Sequence, residues 1–121
     1  MTILNSYKPE TEYFTEEQCY ITELRKTTDD PDCSIARARV EPGVTTHFHT
    51  LKGTVERYVI LEGVGLMEVG NELPHLVHPL DVVTIPVDTR QRITNTGKVD
   101  LIFLCVCTPG FLSENYTDAE K

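Results

Sequence analysis

Positive charge is scarce in this chain. Eleven lysines and arginines face 19 aspartates and glutamates, a formal net charge of −8. Nucleic-acid binders need a basic face to displace counterions, so that class is excluded, and an anionic membrane surface is disfavoured for the same reason. Long apolar runs are also missing. None approaches the roughly 18 residues of a spanning helix. The opening "MTILNSYKPETEYF" has no basic start followed by an apolar stretch, so it does not read as a secretory signal. The four cysteines, Cys19, Cys33, Cys105 and Cys107, lack zinc-ribbon spacing. A reduced, cytoplasmic protein is the expectation. At 121 residues one domain is expected, long enough for its own core.

Helix signals are weak throughout. The best candidate is "TEEQCYITEL", where Thr15 could cap a helix with an acidic first turn, but Cys19 to Leu24 also suits a strand. Beyond the turn-rich "TTDDPD", short strand-like runs alternate with turn residues: "SIARARV", "ERYVIL", "LMEV", "VVTIP", "RQRITN" and "LIFLCVC". Short strands at close, regular spacing point to an all-β sandwich or barrel.

The stretch "TTHFHTLKGTVERYVILEG" carries the chemistry. On an extended strand His47 and His49 share a face, as do Glu56 and Tyr58. Two imidazoles and a carboxylate on adjacent strands suit a metal site; they also suit a polar surface hairpin. Gly43, His49, Glu56 and Gly63 are followed by Leu80, Pro86, Asp88, Gln91 and Asn95. This order resembles the two motifs of the cupin superfamily. The first motif is Gly, five residues, His-x-His, three or four residues, Glu, six residues, Gly. The second is Gly, five residues, Pro-x-Gly, two residues, His, three residues, Asn. Every spacing is kept if His49 takes the first histidine slot, Leu51 the second and Glu56 the glutamate slot. Leu80 and Asp88 then stand where glycines are usual, and Gln91 where a metal histidine is usual. Reading His47 and His49 as the histidine pair breaks two spacings. The segments "SIARARVEPGVTT", "GTVERYVI", "QRITNTG" and "DLIFLCVCTPGF" are similar to a group of small bacterial cupins.

The resemblance covers about residues 34 to 108 and implies an all-β fold, a small single-domain cupin β-barrel (double-stranded β-helix, or jelly roll). Residues 34–112 would form the barrel. Residues 1–33 would be an N-terminal extension whose strand packs on the barrel or on a partner subunit, making a homodimer. Residues 113–121 would be a polar tail that frays or packs loosely. One divalent metal would sit inside the barrel, with His49, Glu56 and Gln91 in family positions and His47 as an auxiliary ligand one strand step away. An imidazole, a carboxylate and an amide oxygen suit manganese, iron(II), nickel or zinc. Glu56 and Tyr58 are the catalytic candidates, Glu56 as ligand and charge balance, Tyr58 as proton donor or substrate contact. The expected function is a metal-dependent enzyme, of dioxygenase, isomerase or lyase type, acting on a small polar metabolite. The alternative is a non-catalytic module that binds or senses a small ligand. Ordinary roles are open to each residue: His75 and His78 as solvent-facing turn residues, Arg57, Arg90 and Arg92 on the exterior, Tyr58, Cys105 and Cys107 as core.

Overall fold

Period-two alternation builds the barrel. In Val55–Glu62 the side chains of Glu56, Tyr58 and Ile60 are buried while Val55, Arg57 and Val59 are less so. In Gln91–Asn95 the buried set is Gln91, Ile93 and Asn95. One face of each strand therefore points inward, as alternation requires. The structure, a computed structural model, describes residues 2–120; Met1 and Lys121, the outermost residues of the extension and the tail, lie outside it.

Eleven strands are present among the described residues: β1 Tyr13–Phe14, β2 Tyr20–Arg25, β3 Ser34–Val40, β4 His49–Leu51, β5 Val55–Glu62, β6 Gly65–Val69, β7 His75–Val77, β8 Val82–Ile85, β9 Gln91–Asn95, β10 Leu101–Thr108 and β11 Tyr116–Asp118. They form two antiparallel sheets, ordered β1-β2-β3-β10-β5-β8 and β11-β4-β9-β6-β7. Helical structure among the described residues is limited to two short 3-10 turns, Pro9–Thr11 and Ser113–Asn115, and no helix is long and apolar enough to cross a membrane. Thr15 does not cap a helix. It closes a turn onto Cys19, and the strand reading of the following run holds as β2, which pairs with β3.

The aliphatic core gathers Val40, Ile60, Met67, Ile85, Ile93, Leu101 and Phe103 between the sheets. Burying each such side chain contributes about 1.5–3 kcal/mol. The same strands carry polar residues elsewhere along their inward faces. β5 runs inward from Glu56 through Tyr58 to Ile60, and β9 from Gln91 to Ile93. The polar group thus occupies one end of the barrel interior and the core fills the rest. Asn95, at the far end of β9, is spent on structure: its amide donates to the Val40 and Val99 carbonyls at 2.8 Å each, and its oxygen accepts from Gly97 N at 2.9 Å.

Leu80 and Asp88 adopt left-handed backbone, φ 73° and 56°. L-residues avoid that region and glycine does not, which is why the two slots usually hold glycine. The polar tail is docked rather than frayed. β11 pairs with β4 along Tyr116↔Leu51 and Asp118↔His49, and Ala119 N donates to Phe48 O at 2.8 Å. The exposed edge of β4 needed a partner, and the tail supplies it.

Candidate functional site

The turn after Pro42-Gly43 leads the chain toward β9, and two bonds hold it there. Thr46 N donates to Ile93 O at 2.9 Å, and Ile93 N donates to Thr46 Oγ1 at 3.0 Å. This lock points Thr46 inward. The regular strand begins only at His49, so the inward residues are Thr46, His49 and Leu51, all buried. His47 therefore falls out of the phase that an unbroken strand from residue 45 would have had. Its ring is 37% exposed, with Nδ1 3.6 Å from Asp118 Oδ2, and it is absent from the cavity wall that His49 forms. What His47 brings to His49 is its backbone carbonyl, 3.0 Å from His49 Nδ1.

His49 pairs directly with Gln91 across β4 and β9. Glu56 lies on the opposite sheet, opposite Cys107 of β10, whose thiol donates to Glu56 Oε2 at 3.7 Å. Glu56 Oε1 and both polar atoms of Gln91 are buried and have no hydrogen-bond partner. His49, Glu56 and Tyr58 line a cavity of about 550 Å³ whose walls include Ile35, Ala38 and Phe103. Gln91 is not among the residues of that wall, and its amide lies beside Glu56. The Tyr58 ring stacks on Phe103, centroids 4.4 Å apart, so its aromatic body is core while it borders the cavity.

Burial is the main reason the Glu56 carboxyl sits above the usual carboxylate range; His49 and the Gln91 amide oppose it, and the Glu17 carboxylate adds to it. Burial also lifts the Tyr58 hydroxyl well above its ordinary range, helped by the Glu56 charge. The Cys19 and Cys107 thiols are raised mainly by burial as well. They stay protonated at neutral pH and are poor nucleophiles.

The other sequence candidates lie outside. His75 and His78 are exposed, His75 within β7 rather than a turn, and His78 Nδ1 is 3.6 Å from Asp81 Oδ2. Arg90 and Arg92 sit over the Phe48 ring, and Arg57 donates to Thr108 Oγ1 at 2.7 Å. Cys105 and Cys107, by contrast, line the cavity, and both remain free thiols.

Two residues that no motif marked join the site. Glu17 Oε2 lies 3.1 Å from His49 Nδ1. Tyr116 of β11 stacks on the His49 ring, centroids 5.1 Å apart and planes 19° from parallel. Glu17 was hidden because "TEEQ" reads as the first turn of a helix, and Tyr116 because "SENYTD" reads as a solvated tail.

Among the described residues no three His, Cys, Asp or Glu side chains gather closely enough to hold a metal ion by themselves. A metal here would need an amide as a third donor. The donors on hand match that need. Glu56 Oε1 and the Gln91 amide are orphaned and buried. His49 Nδ1 faces a carbonyl, which only accepts, so Nδ1 carries the proton and Nε2 keeps the lone pair of the neutral ring. One imidazole, one carboxylate and one amide oxygen fit a divalent transition ion with open positions for water or a ligand.

Residues 36–107 match the family model described as Cupin domain. An uncharacterised protein of Methanocaldococcus jannaschii is 39% identical over 82 residues, 68% of this chain and 65% of that protein, so the chain spans just under two thirds of the relative's length. Among solved structures, an uncharacterised conserved protein with a double-stranded β-helix domain from Klebsiella pneumoniae superposes with a TM-score of 0.76 at 18% identity, with 93% of each chain covered. A predicted oxalate decarboxylase from Thermotoga maritima superposes with a TM-score of 0.68 at 27% identity, covering 75% of this chain and 80% of that one. The fold is the double-stranded β-helix that the motif spacing implied.

Proposed function

The chain belongs to the Cupin domain family, and we propose that it holds one divalent transition metal (manganese, iron, nickel or zinc) through His49, Glu56 and Gln91. On this reading it is a metal-dependent enzyme, of dioxygenase, isomerase or lyase type, acting on a small polar metabolite. One observation carries the proposal: Glu56 Oε1 and the neighbouring Gln91 amide are buried without a well-aligned hydrogen bond at the end of the barrel where His49 stands. A buried carboxylate with one oxygen left unpartnered is costly to keep ionised. A cation that also takes the amide oxygen offsets that cost.

When bound, the ion would supply Lewis acidity, polarising a carbonyl or enolate or activating water or dioxygen. The chain's own residues do the rest. Glu56 balances the ion's charge. Tyr58 keeps its hydroxyl proton and can donate to a substrate oxygen. Ile35, Ala38 and Phe103 make an apolar wall that limits water, and about 550 Å³ admits a small metabolite. His47 supports the set through its carbonyl. A second reading, a non-catalytic module that binds or senses a small ligand, is favoured by Leu51, which is buried in the slot of the second motif histidine, and by Gln91 in place of a histidine.

Elemental analysis of protein purified without added metal tests the choice. Near-stoichiometric manganese, iron, nickel or zinc is the expected result. Metal-free protein that takes up none of these ions on titration would transfer the case to the binding module.

A further inference from the structure

Glu17 belongs to the segment ahead of the barrel, yet its main chain and its side chain both end at the histidine strand. The turn that carries it is firmly held. Thr15 N and Thr15 Oγ1 both donate to Cys19 O at 2.9 Å, and Gln18 N donates to Thr15 O at 3.1 Å. Gln18 takes a left-handed φ of 75°, a conformation that a non-glycine residue holds only when its surroundings fix it. His47 N donates to Glu17 O at 3.1 Å, which ties this turn to the segment leading into β4. From that anchor the carboxylate reaches back. Oε1 accepts from the Cys19 thiol at 3.4 Å, while Oε2 is buried, makes no hydrogen bond of its own and lies 3.1 Å from His49 Nδ1, which is bonded to the His47 carbonyl.

We infer that Glu17 is a positioning residue for the His49–Glu56–Gln91 site, holding His49 with the proton on Nδ1 and Nε2 presented to the cavity. The inference rests on the site assigned above. Two acceptors flank Nδ1, the His47 carbonyl and the Glu17 carboxylate. Tyr116 stacked on the ring face limits its rotation. An imidazole whose second nitrogen faces a carboxylate or carbonyl is a better ligand or base at the first, and loss of such a partner costs about 10- to 100-fold in metal affinity. Glu17 also borders the cavity, so the segment before the barrel forms part of the wall as well as the support.

The test uses the full chain with Glu17→Ala and Glu17→Gln. Long-range proton–nitrogen NMR of metal-free protein at neutral pH reads the His49 tautomer without any metal. Wild type should show Nδ1–H and a bare Nε2. Glu17→Ala should show a substantial Nε2–H population, and Glu17→Gln, which keeps an acceptor oxygen, should restore much of the wild-type pattern. Calorimetric titration with nickel or manganese should show a 10- to 100-fold weaker Glu17→Ala and a smaller loss for Glu17→Gln. Tautomer and affinity both unchanged in Glu17→Ala would overturn the inference. Wild type that binds no metal, with the tautomer still shifted in Glu17→Ala, would sink the metal site and leave the positioning role standing. A Glu17→Ala protein that fails to fold leaves the decision to Glu17→Gln at a wild-type melting temperature, where a partly shifted tautomer with weaker nickel affinity supports the role and a tautomer and affinity both equal to wild type overturn it.

Discussion

Replacing Leu80 by glycine should stabilise this protein, although it deletes a large apolar side chain. Leu80 holds φ 73° at a position where the cupin motif usually has glycine. The left-handed conformation costs an L-residue about 1–2 kcal/mol. Glycine removes that cost but gives the unfolded chain more freedom, which offsets about 0.4–1 kcal/mol. Little else is lost. Leu80 is 79% exposed, and its hydrogen bond is made by the backbone, Leu80 N to Ile60 O at 2.7 Å. The net gain is about 0.5–1 kcal/mol, a rise in melting temperature of about 2–4 °C for a domain of this size. Two substitutions in the opposite sense calibrate it. Gly53→Ala meets φ +70° with nothing within 4 Å, so it reports conformation alone, a loss of about 1 kcal/mol. Gly63→Ala meets φ +81° and also sets its Cβ 2.8 Å from Asp100 O and 3.0 Å from Leu101 Cα, both backbone, so it should lose clearly more. Thermal melts followed by circular dichroism would rank the three. A Leu80→Gly melting temperature below wild type, or Gly63→Ala no worse than Gly53→Ala, would refute the argument from backbone strain.

His47→Ala should leave nickel or manganese affinity within a few-fold of wild type, since only its backbone reaches His49, whereas Glu56→Gln should lower it at least 10-fold; calorimetry distinguishes them, and equal losses would restore His47 as a ligand. Glu12 bridges the segment ahead of the barrel to β3, accepting from Arg39 Nη2 at 2.7 Å and Arg37 Nη1 at 3.4 Å, and the Arg39 hydrogen bond holds its carboxyl below the usual range. Its folded pKa is depressed, so its contribution is complete above the unfolded value near 4.5 and fades as pH falls through the folded value. Glu12→Gln should therefore destabilise at pH 7, and its gap to wild type should narrow as pH falls below 4.5, as denaturant titrations across that range would show. We also expect a homodimer, because the sheet edge ends in the two-residue β1, whose Tyr13 and Phe14 are both exposed; sedimentation showing a monomer at micromolar concentration would remove that expectation.

How far the sequence could be read depends on where each structural cause lies along the chain. Motif spacing reports strand lengths and turn positions, which are local, so it carried the barrel and even the two irregular positions, Leu80 and Asp88, whose left-handed backbone the family's glycines foreshadow. It also carried the inward phase of His49, Leu51, Glu56 and Gln91, since each lies within a regular strand. Period two failed at His47 for a reason three residues of sequence cannot reveal. The lock between Thr46 and Ile93 joins residues 47 positions apart, and it replaces the strand phase before His49 with another. The same holds more strongly for Glu17 and Tyr116. Neither sits in a pattern of its own, and each matters only because a remote β4 presents the His49 ring to it. Both also fall outside residues 36–107, the part that matches the family. The family match therefore covers the groups that would hold a ligand and the His47 carbonyl, but not Glu17 and Tyr116, the two side chains set against the His49 ring. A relative sharing those residues yet differing ahead of the barrel or in the tail should orient that imidazole differently, and the way to find out is to compare the His49 tautomer rather than the motif.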